Sequence, residues 1–369
     1  MIRLAFRNLF QNKIRLIISV GGVALALLLI LSLDAIFTGV EQRITVYINN
    51  SGADIFVAQS DVRNMHMASS SLPDSVKMKV KVVPGVNSVT PILYLSNYIV
   101  MGEERNLAYI IGLPEKAEFG GPWKVSSGRS LPGKGEAIID RNLAEKSGIS
   151  LGDEVEILGD EFEVVGLTEE TSSLVNSVAF ISMKDFEELR ESYKTFSFLL
   201  VKVQAGETPE VVAARIQAWV RDVTVQTRED FASQERQVVK DMSTDVITIM
   251  NLIGFLIGLA VMALTVYTAT LARRAEFGVL KALGARNAHL YRAVLAQALL
   301  SVTFGFVIGL AITLVISAIV PLLGLSMVLV VSGASLLKVG SLSLVIAGVA
   351  AVLPIRQIAG LDPAMVFRK

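Results

Sequence analysis

The 369-residue sequence contains no cysteine and only two histidines, His66 and His289. No disulfide can staple it, thiolate sites for zinc or iron–sulfur clusters are excluded, and two histidines leave little from which to build a catalytic triad or a metal-ligand cluster. Charge is missing from long stretches. Leu16–Leu33, Val246–Ala272 and Ala293–Leu337 hold no Asp, Glu, Lys or Arg. Each can supply the roughly 17–25 helical residues that cross a bilayer core, and the third is too long for one crossing. A nucleotide site is missing as well. Gly128–Gly135, GRSLPGKG, approaches the phosphate-binding form GxxxxGK[ST], but Gly135 stands where the Mg²⁺-holding hydroxyl belongs and Pro132 removes an N–H from the cradle. With no Ser–His–Asp set or paired-carboxylate site either, the chain reads as a non-enzyme with no cofactor of its own, and any ATP hydrolysis must come from another polypeptide.

What is present is apolar: 52% of the residues are hydrophobic and the mean hydropathy is +0.57, the composition of an integral membrane protein. The formal net charge of zero hides a split. Residues 41–245 carry 31 of the 34 acidic residues but only 21 of the 34 basic ones, a net of −10. The remaining 13 bases, Lys338 excepted, fall in segments assigned to the cytoplasm, as the positive-inside rule requires of a chain with an exported acidic domain. That negative balance also speaks against nucleic-acid binding.

In order, Met1–Arg15 sets Ile2, Ala5, Phe6, Leu9 and Phe10 against Arg3, Arg7, Lys13 and Arg15, a basic amphipathic helix for the inner leaflet. Residues 16–40 form a first span, longer than a signal-peptide core and without an Ala-x-Ala cleavage pattern. Residues 41–245 form an extracytoplasmic α/β domain. Strands are expected at Ala53–Ala58, Val86–Ile99 (one or two), Ser197–Gln204 and Val223–Thr227, and helices at Pro73–Val83 and Thr208–Arg221. These two strand–helix–strand units flank an insertion at 113–196, which suggests a split ferredoxin-like subdomain with a mainly β insertion. The insertion has strands at Glu136–Ile139, Glu154–Leu158, Glu161–Leu167 and Ser177–Ile181. Residues 229–245 continue the second span, 246–272, outward as a polar stalk. A cytoplasmic loop at 273–292, a third span at 293–320, an external turn at 321–335 around Pro321 and Gly324, a fourth span at 336–353 and a cytoplasmic tail at 354–369 complete the chain, with Lys338 snorkelling to the outer interface. Both termini are cytoplasmic on this reading.

Between two spans lies RRAEFGVLKALGARNAHLYR, in which Arg273, Arg274, Lys281, Arg286 and Arg292 are opposed only by Glu276. Phe277, Leu280, Leu283 and Gly284 recur at helical spacing, with Gly284 at the place of a left-handed cap. A short helix with one apolar face fits either a groove on a soluble partner or the lipid interface. EFGVLKALGA with the preceding basic pair resembles the cytoplasmic coupling helix of the FtsX/MacB-type permeases, the type VII ABC transporters. AFRNLFQNKIRLIISVGGVAL and the tail IAGLDPAMVFRK resemble the ends of such permeases, and the insertion resembles the second subdomain of the MacB-type periplasmic region.

That resemblance implies a four-helix permease whose Arg273, Arg274, Glu276, Phe277, Leu280, Lys281, Leu283 and Gly284 contact a separate ABC ATPase carrying ATP and Mg²⁺. It further implies a homodimer in a prokaryotic cell membrane, a membrane-fusion or periplasmic adaptor as a further partner, and an amphipathic substrate such as a lipid, lipoprotein, haem, peptide or drug. The family also includes regulators of cell-wall hydrolases, which transport nothing. A receptor independent of ATP leaves the loop motif unexplained.

Four further features stand in the residues. Asn64–Ser71, NMHMASSS, places His66 between Met65 and Met67, a donor set for Cu(I) or haem iron, against which stands a plain polar loop in which neighbouring side chains point apart. Asp34 is a charge at the outer end of a span, hydrated there or paired across a dimer. The second span carries Thr265, Tyr267, Thr268 and Thr270 but no ionisable carboxylate or lysine, which argues against an ion-coupled pathway. His289 has no partner pattern and reads as a surface or interface residue.

Overall fold

The computed structural model describes residues 13–66, 68–102, 104–171, 177–191, 193–320 and 328–360. Most of the expected N-terminal helix, Met67, the Pro321–Gly324 corner and the tail after Gly360 lie outside them. In chain order the first elements are α1 (Lys13–Ile44), α2 (Val46–Asn50), β1 (Ile55–Gln59), β2 (Leu72–Pro73), α3 (Asp74–Lys81), β3 (Val86–Met101) and β4 (Glu104–Leu113). Next come β5 (Val125–Gly128), β6 (Glu136–Asp140), α4 (Arg141–Lys146), β7 (Glu154–Ile157), β8 (Asp160–Thr168), β9 (Ser177–Ser182), α5 (Met183–Arg190) and β10 (Thr195–Phe196). The last are β11 (Phe198–Val203), α6 (Pro209–Trp219), β12 (Val223–Thr227), α7 (Arg228–Ala272), α8 (Arg274–Ala282), α9 (Asn287–Ile319) and α10 (Gly333–Ala359). Packing divides the chain at Thr38/Gly39 and at Met242/Ser243 into an α/β unit and a helical unit.

In the α/β unit, strands β12-β1-β11-β3 lie side by side, all antiparallel, with α3 and α6 as the two crossovers, which is the ferredoxin-like order. Both faces of β1 are covered, so it reads as a continuous apolar run rather than an alternating one. Ile55 and Val57 join Val76 and Val80 of α3 and Val212 and Ile216 of α6 in one core. Phe56 and Ala58 face the other way, into a core with Tyr47, Phe198 and Phe231. The insertion is not a detached module. β3 is a single 16-residue strand whose first half pairs with β11 and whose second half pairs with β4, so one ten-stranded mixed sheet runs through both subdomains. The strand β4 was not anticipated. Gly102, at φ +61°, marks the turn that creates it.

The phosphate-loop lookalike is a turn whose amides are already engaged. Gly133 N–H donates to Glu136 Oε2 at 2.6 Å, Gly135 N–H to Asp185 Oδ2 at 2.9 Å and Arg129 N–H to the Val165 carbonyl at 2.9 Å. Nearby, the fully buried Asp140 caps α4 by accepting from the amides of Asn142 and Leu143, and accepts again from Thr171 N–H and Oγ1–H, so its carboxylate is satisfied without a cation.

In the helical unit, α1, α7, α9 and α10 are each long and apolar enough to cross a membrane. They meet around Leu27, Ile30, Met262, Val266, Ala298, Val302, Ile346 and Ala350. Gly305 and Gly309, a GxxxG pair on α9, let α1 approach closely. A Cβ at Gly305 would stand 2.8 Å from Val23 Cγ1, and one at Gly309 would stand 3.0 Å from the Ala24 carbonyl oxygen. The hydroxyls of Thr265 and Thr268 donate back to their own helix, at Val261 O and Thr265 O. Pro354 sits inside α10, buried, and the helix continues past it to Ala359 instead of ending before it.

Asp34 and Lys338, 304 residues apart and read separately from the sequence, are partners: Lys338 Nζ lies 2.7 Å from Asp34 Oδ1. Asp34 has 14% of its side chain exposed and Lys338 48%. Removing one partner of such a pair costs between about 1 kcal/mol, the limit for exposed pairs, and about 3–5 kcal/mol, the figure for buried ones. Lys338→Met is therefore expected to lower the melting temperature of the detergent-solubilised chain, and Asp34→Asn added to it to restore part of the loss. A double variant no better than the single would show the two charges act independently.

Candidate functional site

Two places hold side chains arranged for work, one in each unit. In the helical unit, the turn between α7 and α9 contains α8, a helix of nine residues. Phe277 is 9% exposed and packs into the bundle core, and Gly278 beside it is buried. Lys281 Nζ reaches the carbonyls of Ile358 and Ala359 at 3.2 and 3.0 Å, placing a cation on the C-terminal end of α10 where the helix dipole favours it. Gly284 has φ +88°, and Ala285 N–H donates to Leu280 O, closing the helix with the left-handed turn the sequence suggests. Held from within by Phe277 and Lys281, α8 turns an apolar ridge outward. Val279, Leu280 and Leu283 are 43, 41 and 79% exposed. Glu276 is exposed and lies 4.0 Å from Arg273, and Arg274 is exposed. Of the eight residues named from the resemblance, Phe277 and Lys281 serve the chain's own packing, whereas Leu280 and Leu283 are free to meet something else. His289 is exposed in the first turn of α9.

In the α/β unit, the first turns of α7 are rooted in the domain core. Phe231 stacks on Phe56 with ring centroids 4.7 Å apart and 11° between planes, and meets Phe198 edge-on at 5.7 Å. One turn on, Glu235 is fully buried, and its Oε2 accepts the Met65 N–H at 2.7 Å. Its other oxygen meets His66 Nδ1, and the His66 ring lies edge-on to Tyr109 at 4.7 Å. Burial pushes the His66 imidazole down to about 4. Burial also pushes the Glu235 carboxyl up to about 7, against the lowering effect of the backbone amides of Met65 and His66. Both shifts favour the uncharged forms, a carboxylic acid facing a neutral imidazole. The Met65 N–H bond to Glu235 fastens the segment carrying Val62 and Met65, both buried in the core, to the base of α7. The segment is thus no polar loop. Met65 spends its side chain on apolar packing and His66 Nδ1 faces Glu235. Met67 lies outside the described residues. The sequence does not reveal Phe231 and Glu235 because the stretch that holds them, REDFASQERQVVKD, is polar on balance, and its apolar and acidic anchors show only against distant partners such as Phe56 and Met65.

Comparison with known proteins places both units. Residues 16–219 match the MacB-like periplasmic core domain and residues 248–363 the FtsX-like permease C-terminal domain. An uncharacterized ABC transporter permease of Methanocaldococcus jannaschii is 23% identical over 342 residues, covering 86% of this chain and 84% of that protein. The uncharacterized ABC transporter permease YknZ of Bacillus subtilis is 24% identical over 391 residues, covering 100% of this chain and 98% of that protein. Among solved structures, the periplasmic region of MacB from Actinobacillus actinomycetemcomitans covers 51% of this chain and 94% of its own at 16% identity and a TM-score of 0.39. The extracellular domain of YknZ from Gram-positive bacteria covers 47% and 98% at 19% identity and a TM-score of 0.37. With a core-domain match over more than half of its length and the permease domain following it, the chain belongs to the MacB/FtsX family of ABC transporter permeases.

Proposed function

We propose that this permease subunit transmits the motion of a separate ATPase chain, which holds ATP and Mg²⁺, through the membrane to its α/β unit, and so moves an amphipathic substrate. Two copies of the chain would form the working dimer, with α8 on the cytoplasmic side and the acidic α/β unit outside. The observation that carries this reading is α8 itself. An apolar ridge of Val279, Leu280 and Leu283 is presented by a helix that Phe277 and Lys281 fix to the bundle, so a push on the ridge is a push on α7, α9 and α10. Charge supports the orientation, because the α8 segment is basic and the α/β unit acidic. Thr265 and Thr268 bond within their own helix, so they offer no polar lining for a path through the bundle, which suits a substrate handled outside the membrane core.

The test is retention of an ATPase. The full chain, tagged and co-expressed with the ABC ATPase encoded nearest to it, should retain that ATPase through purification together with ATP turnover. Leu283→Asp, at the most exposed ridge position, should reduce retention about tenfold or more, the effect of placing a charge in a desolvated contact, while leaving the melting temperature unchanged. Equal retention by wild type and variant would sink the coupling role of α8.

A further inference from the structure

We propose that the α/β unit carries a binding site for a soluble aromatic anion, in the cavity between α3 and the C-terminal end of α6. The site does not depend on whether the chain exports or signals. The cavity measures about 620 Å³, within the range that holds drug-sized ligands. Its construction follows from the ferredoxin-like order, which brings three chain ends together. Gln59 closes β1, Leu72 and Pro73 lead into the first turns of α3, and Trp219 ends α6 just before β12.

Three observations point to the ligand. Trp219, one of only two tryptophans, lines the cavity with 59% of its surface exposed, although an indole of this size buries 150–250 Å² when given a partner. Lys79 and Arg221 line it too, both exposed and neither in an ion pair among the described residues, opposed in the lining by Asp222 alone. The cavity is therefore net positive within a region whose net charge is −10. The backbone here is also forced. Asp222 holds φ +60° in the lining, and Ser60 N–H donates to its carbonyl at 3.1 Å, which ties it to the turn after β1, where Asp61 holds φ +65°. A flat apolar body can lie on Trp219, while its phosphate, sulfonate or carboxylate takes the Lys79 ammonium and the Arg221 fork. Either half alone leaves part of the site unused.

The full chain in phosphatidylcholine vesicles tests this, with Trp123→Phe leaving Trp219 as the sole tryptophan. Phenyl phosphate is the probe, inorganic phosphate the anion without a ring and benzyl alcohol the ring without an anion. Phenyl phosphate is expected to change Trp219 emission saturably with a Kd below about 1 mM, and the two half-ligands to bind at least about tenfold more weakly. Lys79→Gln/Arg221→Gln should weaken phenyl phosphate about tenfold or more, whereas Lys81→Gln, exposed on α3 but outside the cavity, should not. No saturable response, equal binding of benzyl alcohol, or equal binding by the double variant would overturn the proposal. So would a response that appears on adding phosphatidylserine to the vesicles and never with the soluble probe, since that would assign the site to a lipid headgroup.

Discussion

Glu235→Gln is expected to turn a flat stability profile into a steep one. The glutamine keeps the shape of the protonated acid, with Oε1 accepting the Met65 N–H and Nε2 donating to His66 Nδ1, so the variant folds with the same contacts. What changes is proton counting. Glu235 has its native value raised to about 7 from 4.5, so its contribution is full below 4.5 and lost as pH rises through 7. His66 has its native value lowered to about 4 from 6.5, so its contribution is full above 6.5 and lost as pH falls through 4.

Between 4.5 and 6.5 the unfolded chain carries one proton, on the histidine, and the native chain also carries one, on the glutamate. The pair is therefore neutral to pH in that window. Glu235→Gln leaves His66 uncompensated, and stability should fall by about 3 kcal/mol as pH drops from 6.5 to 4, at 1.36 kcal/mol per unit. His66→Phe, which keeps a ring against Tyr109, leaves Glu235 uncompensated, and stability should fall by a similar amount as pH rises from 4.5 to 7. Tyr94 and Tyr109 are the other titratable groups at this contact, and burial moves the Tyr94 hydroxyl up, away from the window. Melting temperature against pH for the three chains is the measurement. Parallel curves would mean that the two groups do not share a proton.

This pair also marks where the sequence stops being informative. The ferredoxin-like half was legible because its signals are local: Thr208 before Pro209 at the start of α6, the period-3.6 apolar positions Val212 and Ile216, and the short apolar strands β1 and β12. In the insertion, β6 to β9 were legible as short apolar runs, with Gly152 and Gly159 marking the turns around β7, whereas β4 was not, because the half of β3 that pairs with it reads as a strand without it. The four long helices announced themselves by absence of charge. How they touch did not, although Gly305 and Gly309 stand in the sequence four residues apart as a readable sign of close packing. For the candidate site, the ridge of α8 was legible from spacing, but which of its apolar residues faces inward was not. Phe277 and Leu280 are both apolar and three residues apart, and only the bundle core decides between them.

Phe231→Ala should separate the two ends of α7. The ring is 1% exposed, stacked on Phe56 and edge-on to Phe198, and Phe→Ala at such a site costs about 3–5 kcal/mol because the ring leaves both lost burial and a cavity. Phe231→Leu, which keeps most of the volume, should cost less. Because Phe231 belongs to the α/β unit and α8 to the helical unit, the loss should be local: faster amide hydrogen exchange in β1, β11 and the first turns of α7, with α9 and α10 unaffected. On the coupling reading the alanine variant should therefore keep its ATPase partner, whereas Leu283→Asp should lose the partner and leave exchange at β1 and β11 unchanged. The opposite failures of the two variants would locate the input at α8 and the output anchor at the Phe56–Phe231–Phe198 stack. Unchanged exchange in the Phe231→Ala chain would show that this stack does not hold the root of α7. Loss of the ATPase in that chain would show that the two units do not fail independently.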